Sequence, residues 1–259
     1  MSFSTLKCLY PLSLFGLLLV FSCTDSTDDA TGTTTGDDSQ IMATSALKHW
    51  EIEALSDSLK LSGSNSLVVF EEASMAGVYW ELGVGDSLVR SSLSDELFYL
   101  HEGEATILTD GDEEIGASGH VFFGKAGTET LFTAVTSPLQ LLIVRMQASD
   151  PQNPIRLALS QAQIESPRNG EENVWNPFIS FANVILGLYM LPQIQNGDRR
   201  LVHTWQELNI VTAGTSRFIT DEGAIQVSRG SIFFVDEGNG HYFTDLGADI
   251  DILILWEQP

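Results

Sequence analysis

The sequence predicts an all-β protein built from two similar units that are joined by a short helical connector. Segments rich in β-branched and aromatic residues, such as SLVVF, GVYWEL and LQLLIVRM, alternate with clusters of Gly, Asp and Ser, which is typical of strands and turns. Helical patterns are sparse, and the best of them runs from Pro154 to Ile164. An internal repeat relates the two halves of the chain.

The start of the chain has the pattern of a secretory signal, assigned to residues 1–22. Lys7 precedes an apolar run from Leu9 to Phe21, which is short for a membrane-spanning helix. The run ends in Ser22-Cys23, and this junction resembles the lipobox of bacterial lipoproteins, in which the signal is cleaved before a cysteine that carries the lipid. The resemblance implies lipidation at Cys23; an ordinary signal peptide with an incidental cysteine is the alternative.

The remaining boundaries follow from composition and from the repeat. Residues 23–45 are predicted to form a flexible acidic tether, because the stretch from Thr24 to Gln40 has no large apolar side chain to bury. Two β-rich domains are predicted at 46–150 and 177–259, with the connector at 151–176. By resemblance to lipoproteins, the absence of Asp directly after Cys23 implies a place in the bacterial cell envelope, at the outer membrane, with the membrane face left open.

Charge and cysteine content exclude several classes of function. The chain has 259 residues with 12 Lys+Arg, 35 Asp+Glu and a formal charge of −23, so a nucleic-acid partner is excluded and membrane contact is expected through the lipid anchor only. Both cysteines, Cys8 and Cys23, lie near the start, which excludes a disulfide framework or a cysteine nucleophile further on. A small-molecule partner remains, and both a monomer and a homo-oligomer are compatible with the sequence.

The two halves match without a gap when the chain is shifted by 111 residues. Residues 90–147 then align with 201–258, and about 14 of roughly 58 paired positions are identical. The informative matches are glycines, which tolerate positive φ and recur where strands must turn. The glycine pairs are Gly103 and Gly214, Gly119 and Gly230, and Gly127 and Gly238.

The second copy carries two spaced motifs. The first is H-x3-E-x6-G, from His203 through Glu207 to Gly214, and the second is G-x5-D-x-G-x2-H, from Gly230 to His241. These motifs resemble the two motifs of the cupin superfamily, and the resemblance covers about residues 66–148 and 177–258. It implies a bicupin, in which each unit is a small antiparallel jelly-roll barrel.

The resemblance also implies where a metal binds. In the second copy, His203, Glu207 and His241 stand at three of the four ligand positions of the family, and Leu201 stands at the fourth. In the first copy the four positions hold Arg90, Ser92, Glu96 and Thr130, of which only the glutamate is a family ligand. We therefore expect a metal in the second unit and none in the first.

Two imidazoles and one carboxylate form the facial triad that binds iron(II) and leaves positions open for reactants. We expect one divalent transition metal, with Fe(II) favoured and Zn, Mn or Ni as alternatives. Because alternate side chains of a strand share a face, His203, Trp205 and Glu207 are expected to point together into the unit. The competing interpretation is a vestigial unit, in which His203 and Glu207 hydrogen-bond each other and His241 bonds the backbone.

Four residues near the motifs are candidates for the substrate pocket, the aromatic ones as walls and the polar ones as groups that orient ligands. They are Trp205, Asn209, Tyr242 and Asp245. Core, turn or surface roles are the alternatives. His49, His101 and His120 lie outside the motif positions and are interpreted as surface or strand-edge residues.

The favoured function is metal-dependent chemistry on a small organic molecule in the second unit. Oxygenase, isomerase and lyase reactions all remain open, and the catalytic residues are unassigned, since one fold supports many reactions. The alternatives are a non-catalytic protein that binds a sugar or an organic acid, and a structural module with vestigial pockets.

Overall fold

The computed structural model describes residues 47–72, 74–136, 138–146, 157–159, 174–180 and 184–257. Residues Ala43–Pro259 belong to one compact unit. The predicted signal and tether, with Cys23, lie outside the described residues. None of the helices within the described ranges is long and apolar enough to cross a membrane.

The described residues up to Leu159 form one helix and eleven strands. These are β1 (His49–Glu51), α1 (Ile52–Ser62), β2 (Ser66–Glu71), β3 (Met75–Leu82), β4 (Ser87–Ser91), β5 (Asp95–Glu102), β6 (Glu104–Thr109), β7 (Asp112–Ala117), β8 (Val121–Gly124), β9 (Glu129–Ala134), β10 (Leu139–Met146) and β11 (Leu157–Leu159).

The described part of the second half forms eight strands and a single 3-10 turn. These are β12 (Val174–Ser180), β13 (Val184–Leu191), the turn Gln193–Gln195, β14 (Gln206–Ala213), β15 (Thr215–Thr220), β16 (Gly223–Ser228), β17 (Ser231–Val235), β18 (His241–Thr244) and β19 (Ile250–Glu257). The prediction of an all-β fold is therefore confirmed.

Each half packs a six-stranded antiparallel sheet against a smaller sheet. In the first half the strand orders are β11-β8-β5-β10-β3-β2 and β4-β9-β6-β7. In the second half they are β1-β17-β14-β19-β13-β12 and β16-β15-β18. Phe98 and Phe132 lie in the apolar core of the first half, and Phe218 and Phe233 lie in that of the second. Each half thus has an interior of its own.

A third apolar cluster joins the two six-stranded sheets. Leu97 and Leu142 of the first half belong to the same buried cluster as Leu208 and Leu253 of the second half. These residues alternate along their strands with the residues that face the two interiors. The six-stranded sheets are therefore buried on both faces, and the two halves form one structural body.

The halves also exchange their leading strands. β1, which precedes the first half, pairs with β17 of the second half, with His49 opposite Phe233. β11, which precedes the second half, pairs with β8 of the first half, with Leu157 opposite Phe123. Each leading strand therefore covers an edge of the other half's sheet, where unpaired N–H and C=O groups would otherwise face solvent.

The prediction of a helix from Pro154 to Ile164 is wrong over Leu157–Leu159, which form β11. The rest of that segment lies outside the described residues. Pairing with the open edge of β8 outweighs the local helical preference of these residues.

A helix that the sequence interpretation missed follows β1. α1 buries Ile52, Leu55 and Leu59, whose spacing marks one helical face. It ends at Gly63, which has a φ of 67° and donates its N–H to the carbonyl of Leu59 at 3.0 Å. The three-and-four spacing and the following glycine were the signals present in the sequence.

The repeated glycines occupy the turns for which they were predicted. Gly103 and Gly214 have φ values of 90° and 82°, in the left-handed region that favours glycine. A side chain at Gly214 would also collide with the backbone, since an added Cβ would overlap the carbonyl oxygen of Asp249. The repeat thus preserves turns that a larger residue would break.

The interpretation of His101 as a surface or strand-edge residue is wrong. Its exposed fraction is only 3%, because β5 carries it to the contact between the halves. There its ring faces Gly230, where an added Cβ would lie 3.1 Å from Cε1 of His101. His49 lies on the edge strand β1, and His120, in the turn before β8, is partly buried.

Candidate metal centre

Three elements of the second half bring His203, Glu207 and His241 together. Glu207 lies near the start of β14, His241 is the first residue of β18, and His203 lies in the segment that precedes β14. One ligand atom from each residue lies within 4.8 Å of the others, and within the described residues this is the cluster that suits a metal ion.

The segment that carries His203 differs from the expected strand. β14 begins only at Gln206, so His203 and Trp205 do not share a strand face with Glu207. The backbone instead holds this segment against β18 and the loop before it. Leu201 and His241 exchange two hydrogen bonds of 2.8 and 2.9 Å, and the N–H of Gly238 donates to the carbonyl of His203 at 2.9 Å.

Hydrogen bonds with the backbone fix the orientation of both imidazoles. Nδ1 of His203 lies 3.0 Å from the carbonyl oxygen of Trp205, and Nδ1 of His241 lies 3.1 Å from that of Asn239. A carbonyl oxygen only accepts, so each Nδ1 carries the proton that it donates. Each Nε2 is then left for the centre of the cluster, which is how ligating histidines are commonly oriented.

Both Nε2 atoms converge on one oxygen of Glu207. Oε2 lies 2.6 Å from Nε2 of His203 and 3.8 Å from Nε2 of His241. The indole N–H of Trp256 donates to the same oxygen at 2.5 Å. Glu207 is 2% exposed, and among the described residues its polar partners include no lysine or arginine.

The pKa values of the cluster reflect this contact. Burial alone would raise the pKa of Glu207, but the hydrogen bond from His203 and the charges of the two histidines lower it overall. The same hydrogen bond raises the pKa of His203 against the opposing effect of burial. Glu207 is therefore held as a carboxylate, the form that binds cations.

Three tryptophans form one wall of the cluster. The ring of Trp256 lies 4.5 Å from that of Trp175, 6.2 Å from that of Trp205 and 5.8 Å from that of His203, measured between centroids. The sequence interpretation missed Trp175 and Trp256. Trp256 ends the apolar run ILILW, which reads as an ordinary core strand, and only its register opposite Glu207 brings it to the site.

The four pocket candidates fall in different places. Trp205 belongs to the aromatic wall, and Asn209 lies two residues beyond Glu207 on β14 with no exposed surface. Tyr242 follows His241 on β18, so its side chain lies on the opposite face of that strand. Asp245 occupies an exposed turn with a φ of 54°. The structure thus brings neither Tyr242 nor Asp245 to the cluster.

The equivalent place in the first half is built differently. Glu96 is 3% exposed, and the guanidinium of Arg90 reaches both of its carboxylate oxygens, at 2.5 and 3.4 Å. Ser92 and Thr130 stand at the histidine positions, and Thr130 accepts a hydrogen bond from Thr109 at 3.3 Å. An internal cation therefore neutralises the carboxylate in the first half.

The residues of the second half fit a divalent metal ion. A buried carboxylate without a permanent cation needs either a protonated histidine or a bound cation to offset the cost of burial. The two Nε2 atoms and Oε2 supply the donor set of a facial triad. The contact between His203 and Glu207 and the backbone hydrogen bond of His241 are also those expected of the vestigial alternative.

Comparisons with known proteins bear on the fold. No family model matches the chain. An uncharacterized protein of Streptomyces coelicolor is 26% identical over 97 residues, which are 38% of this chain and 91% of that protein. A cupin 2 conserved barrel domain protein of Leptotrichia buccalis superposes with a TM-score of 0.61 at 12% identity, over 74% of this chain and 88% of the other. The fold is a cupin fold.

A salicylate 1,2-dioxygenase of Pseudaminobacter salicylatoxidans has the same cupin fold. Its TM-score is 0.67 at 10% identity, over 86% of this chain and 88% of the other. A point mutant of the salicylate 1,2-dioxygenase, solved in complex with gentisate, gives 0.67 at 8% identity over 83% of each chain. The superpositions establish the cupin fold of this chain, and at identities this low its activity has to be argued from its own residues.

Proposed function

We propose that the protein is a lipid-anchored bicupin that holds one divalent metal in its second barrel and acts on, or binds, a small organic molecule there. The observation that carries the proposal is the buried carboxylate of Glu207, whose partners are two oriented imidazoles and an indole N–H. Fe(II) is the favoured metal, because two histidines and one carboxylate are its facial triad, and Zn, Mn or Ni accept the same donors.

The division into two barrels is supported by the repeat and by the comparisons. The alignment with salicylate 1,2-dioxygenase covers 86% of this chain, so it extends over both halves. We retain the boundaries 46–150 and 177–259 for the barrels and 151–176 for the connector. The exchange of β1 and β11 means that neither barrel has a complete six-stranded sheet without the other's leading strand.

Each residue of the cluster has a defined task in this proposal. His203 and His241 present Nε2, because each Nδ1 is bound to the backbone. Trp256 holds Oε2 of Glu207 in place. A metal bound there would supply Lewis-acid or redox chemistry at its open positions. Oxygenase, isomerase and lyase reactions all use such a site, and a small-molecule partner is supported by the gentisate complex of the structurally similar dioxygenase.

The test of the metal site is the metal content of the full protein, purified without added metal and compared with His241→Ala. We expect about one metal per chain in the wild type and none in the variant, because two remaining ligands hold a transition metal poorly in water. Equal metal content in the two proteins would favour the vestigial alternative. A loaded site without turnover across substrate panels would favour the non-catalytic binding protein.

The anchor is tested separately. Residues 1–22 are proposed as the lipoprotein signal and 23–45 as the tether, with outer-membrane sorting. Cys23→Ala should release the protein from membranes or block its maturation, whereas Cys8→Ala, within the signal, should leave it membrane-bound. Recovery of unlipidated wild-type protein in the soluble fraction of the native host would contradict the anchor and leave the metal site unaffected.

A further inference from the structure

The side-chain amide of Asn209 is fully buried. Its exposed fraction is 0%, and neither Oδ1 nor Nδ2 has a hydrogen-bond partner among the described residues. Buried side-chain amides are almost always paired, because an unmet donor or acceptor loses its bonds to water and gains nothing in return. Two unmet atoms on one amide call for a partner from outside the chain.

The position of Asn209 connects this amide with the metal centre. Glu207 and Asn209 alternate with buried Leu208 on β14, so both side chains face the interior of the second half. Two residues along a strand separate them by roughly 7 Å. On the neighbouring strands Asn209 lies opposite Phe233 and Ile254, which belong to the apolar core. The amide therefore has an apolar neighbour on each adjacent strand, and the metal centre lies along its own strand.

The first half has an apolar side chain at the equivalent position. The residue equivalent to Asn209 is Phe98, whose ring packs 4.9 Å from that of Phe132. It also fills the space beside Gly124, where an added Cβ would lie 2.9 Å from the ring. The second half thus has a smaller, polar side chain at this position, with Val235 in place of Gly124.

From these observations we infer that Asn209 binds the distal group of the ligand that occupies the metal centre, and that this group is neutral and offers both a donor and an acceptor, as a carboxamide does. A carboxylate only accepts, so it would leave Oδ1 of Asn209 unmet and would add a second negative charge near Glu207. The inference rests on the proposed function, because the metal would hold the other end of the ligand.

The test compares two probes that differ only in the distal group, succinamate and succinate. Their binding to the full Co(II)-loaded protein is measured by calorimetry. We expect the wild type to prefer succinamate about tenfold or more, since one well-placed hydrogen bond is worth roughly that factor. Asn209→Leu should keep its affinity for Co(II) and lose the preference. Asn209→Ala, checked for folding by thermal melting, should do the same.

Phe98→Leu changes the equivalent position of the first half and should leave the preference intact. Equal affinity of the wild type for the two probes, including no binding of either, would overturn the inference, as would an undiminished preference in Asn209→Leu. A wild-type protein that binds no Co(II) would instead overturn the proposed metal site, and this inference with it. The calorimetric titration with Co(II) alone therefore separates the two failures.

Discussion

The two halves bury a glutamate at equivalent positions of equivalent strands, and they neutralise it in different ways. Glu96 is met by the guanidinium of Arg90, whose positive charge is permanent. Glu207 is met by His203, His241 and the indole N–H of Trp256, none of which carries a permanent charge. The fixed cation beside Glu96 leaves no role for a metal ion, whereas the histidines beside Glu207 can lose a proton and bind a metal ion together with the carboxylate.

The residues that surround the two glutamates also differ between the halves. The interior beside Thr130 and Phe98 in the first half retains a cavity of about 10 Å³, which is room for about one water. In the second half the corresponding residues are His241 and Asn209, and the indole of Trp256 stands where the first half has Arg145. The second interior therefore has an imidazole and an amide where the first has a hydroxyl and an aromatic ring.

The largest effect is expected from removing the internal cation of the first half. Arg90→Leu leaves the buried carboxylate of Glu96 without its partner, which should lower the free energy of unfolding by about 3–5 kcal/mol. Urea denaturation of the full chain measures the change. The double variant Arg90→Leu/Glu96→Leu should regain much of the loss, and a loss below about 1 kcal/mol in the single variant would mean that solvent already screens the pair.

The contact between the halves should make the protein sensitive to acid through His101. Burial, aided by the charge of Arg229, lowers the pKa of His101 to about 4 from the usual 6.5. Between pH 4 and pH 6.5 this histidine is protonated in the unfolded chain and neutral in the folded protein. Stability should therefore fall as the pH drops from 6.5 to 4, by roughly 3 kcal/mol for this residue.

The control for this effect comes from the other half, where Thr212 is the equivalent residue and donates its hydroxyl to the carbonyl of Asp251. His101→Thr should flatten the dependence of the unfolding free energy on pH by the same amount. Parallel pH profiles for the wild type and the variant would show that His101 does not carry the acid sensitivity.

A single substitution should convert the metal centre of the second half into an internal ion pair like that of Arg90 and Glu96 in the first half. Leu201 stands opposite His241 in the same register in which Arg90 stands opposite Thr130. Leu201→Arg should therefore place a guanidinium against Glu207 and lower the affinity for Co(II) by about a hundredfold, as competition with a charge-assisted ion pair requires. Leu201→Met, which adds length without charge, is the control, and equal affinities for the two variants would contradict the comparison.

A smaller effect is expected from Trp256, which touches Glu207 without being a ligand itself. Trp256→Phe removes the indole N–H and keeps an aromatic ring, so affinity for Co(II) should fall by about tenfold, as for other groups that orient metal ligands. Trp175→Phe changes the neighbouring ring of the same wall, which makes no hydrogen bond with Glu207, and should have little effect. Calorimetric titration of both variants makes the comparison.

Local patterns in the sequence were enough to predict the strands and the repeat, and the resemblance to the cupin motifs predicted the grouping of the three candidate ligands. The glycines are an example, because Gly103 and Gly214 were expected at turns and have φ values of 90° and 82°. Spacing relative to a known family brought His203, Glu207 and His241 together, although His203 precedes the strand on which it was expected.

The rest depends on contacts between distant parts of the chain. Nothing local in Leu157–Leu159 indicates that they pair with β8, and the helical pattern around them indicated the opposite. The position of Trp256 at the site follows from the register of β19 on β14, which cannot be deduced from either segment alone. The burial of His101 likewise follows from the packing of one half against the other.

The most direct measurement is the metal stoichiometry of two matched variants, Glu207→Gln and Glu96→Gln. Each replaces one buried glutamate by its neutral isostere at equivalent positions of the repeat. After exposure of the full protein to Co(II) and removal of the excess, elemental analysis should give about one metal per chain for the wild type and for Glu96→Gln, and none for Glu207→Gln. Equal metal content in the two variants would contradict the assignment of the metal centre to the second half.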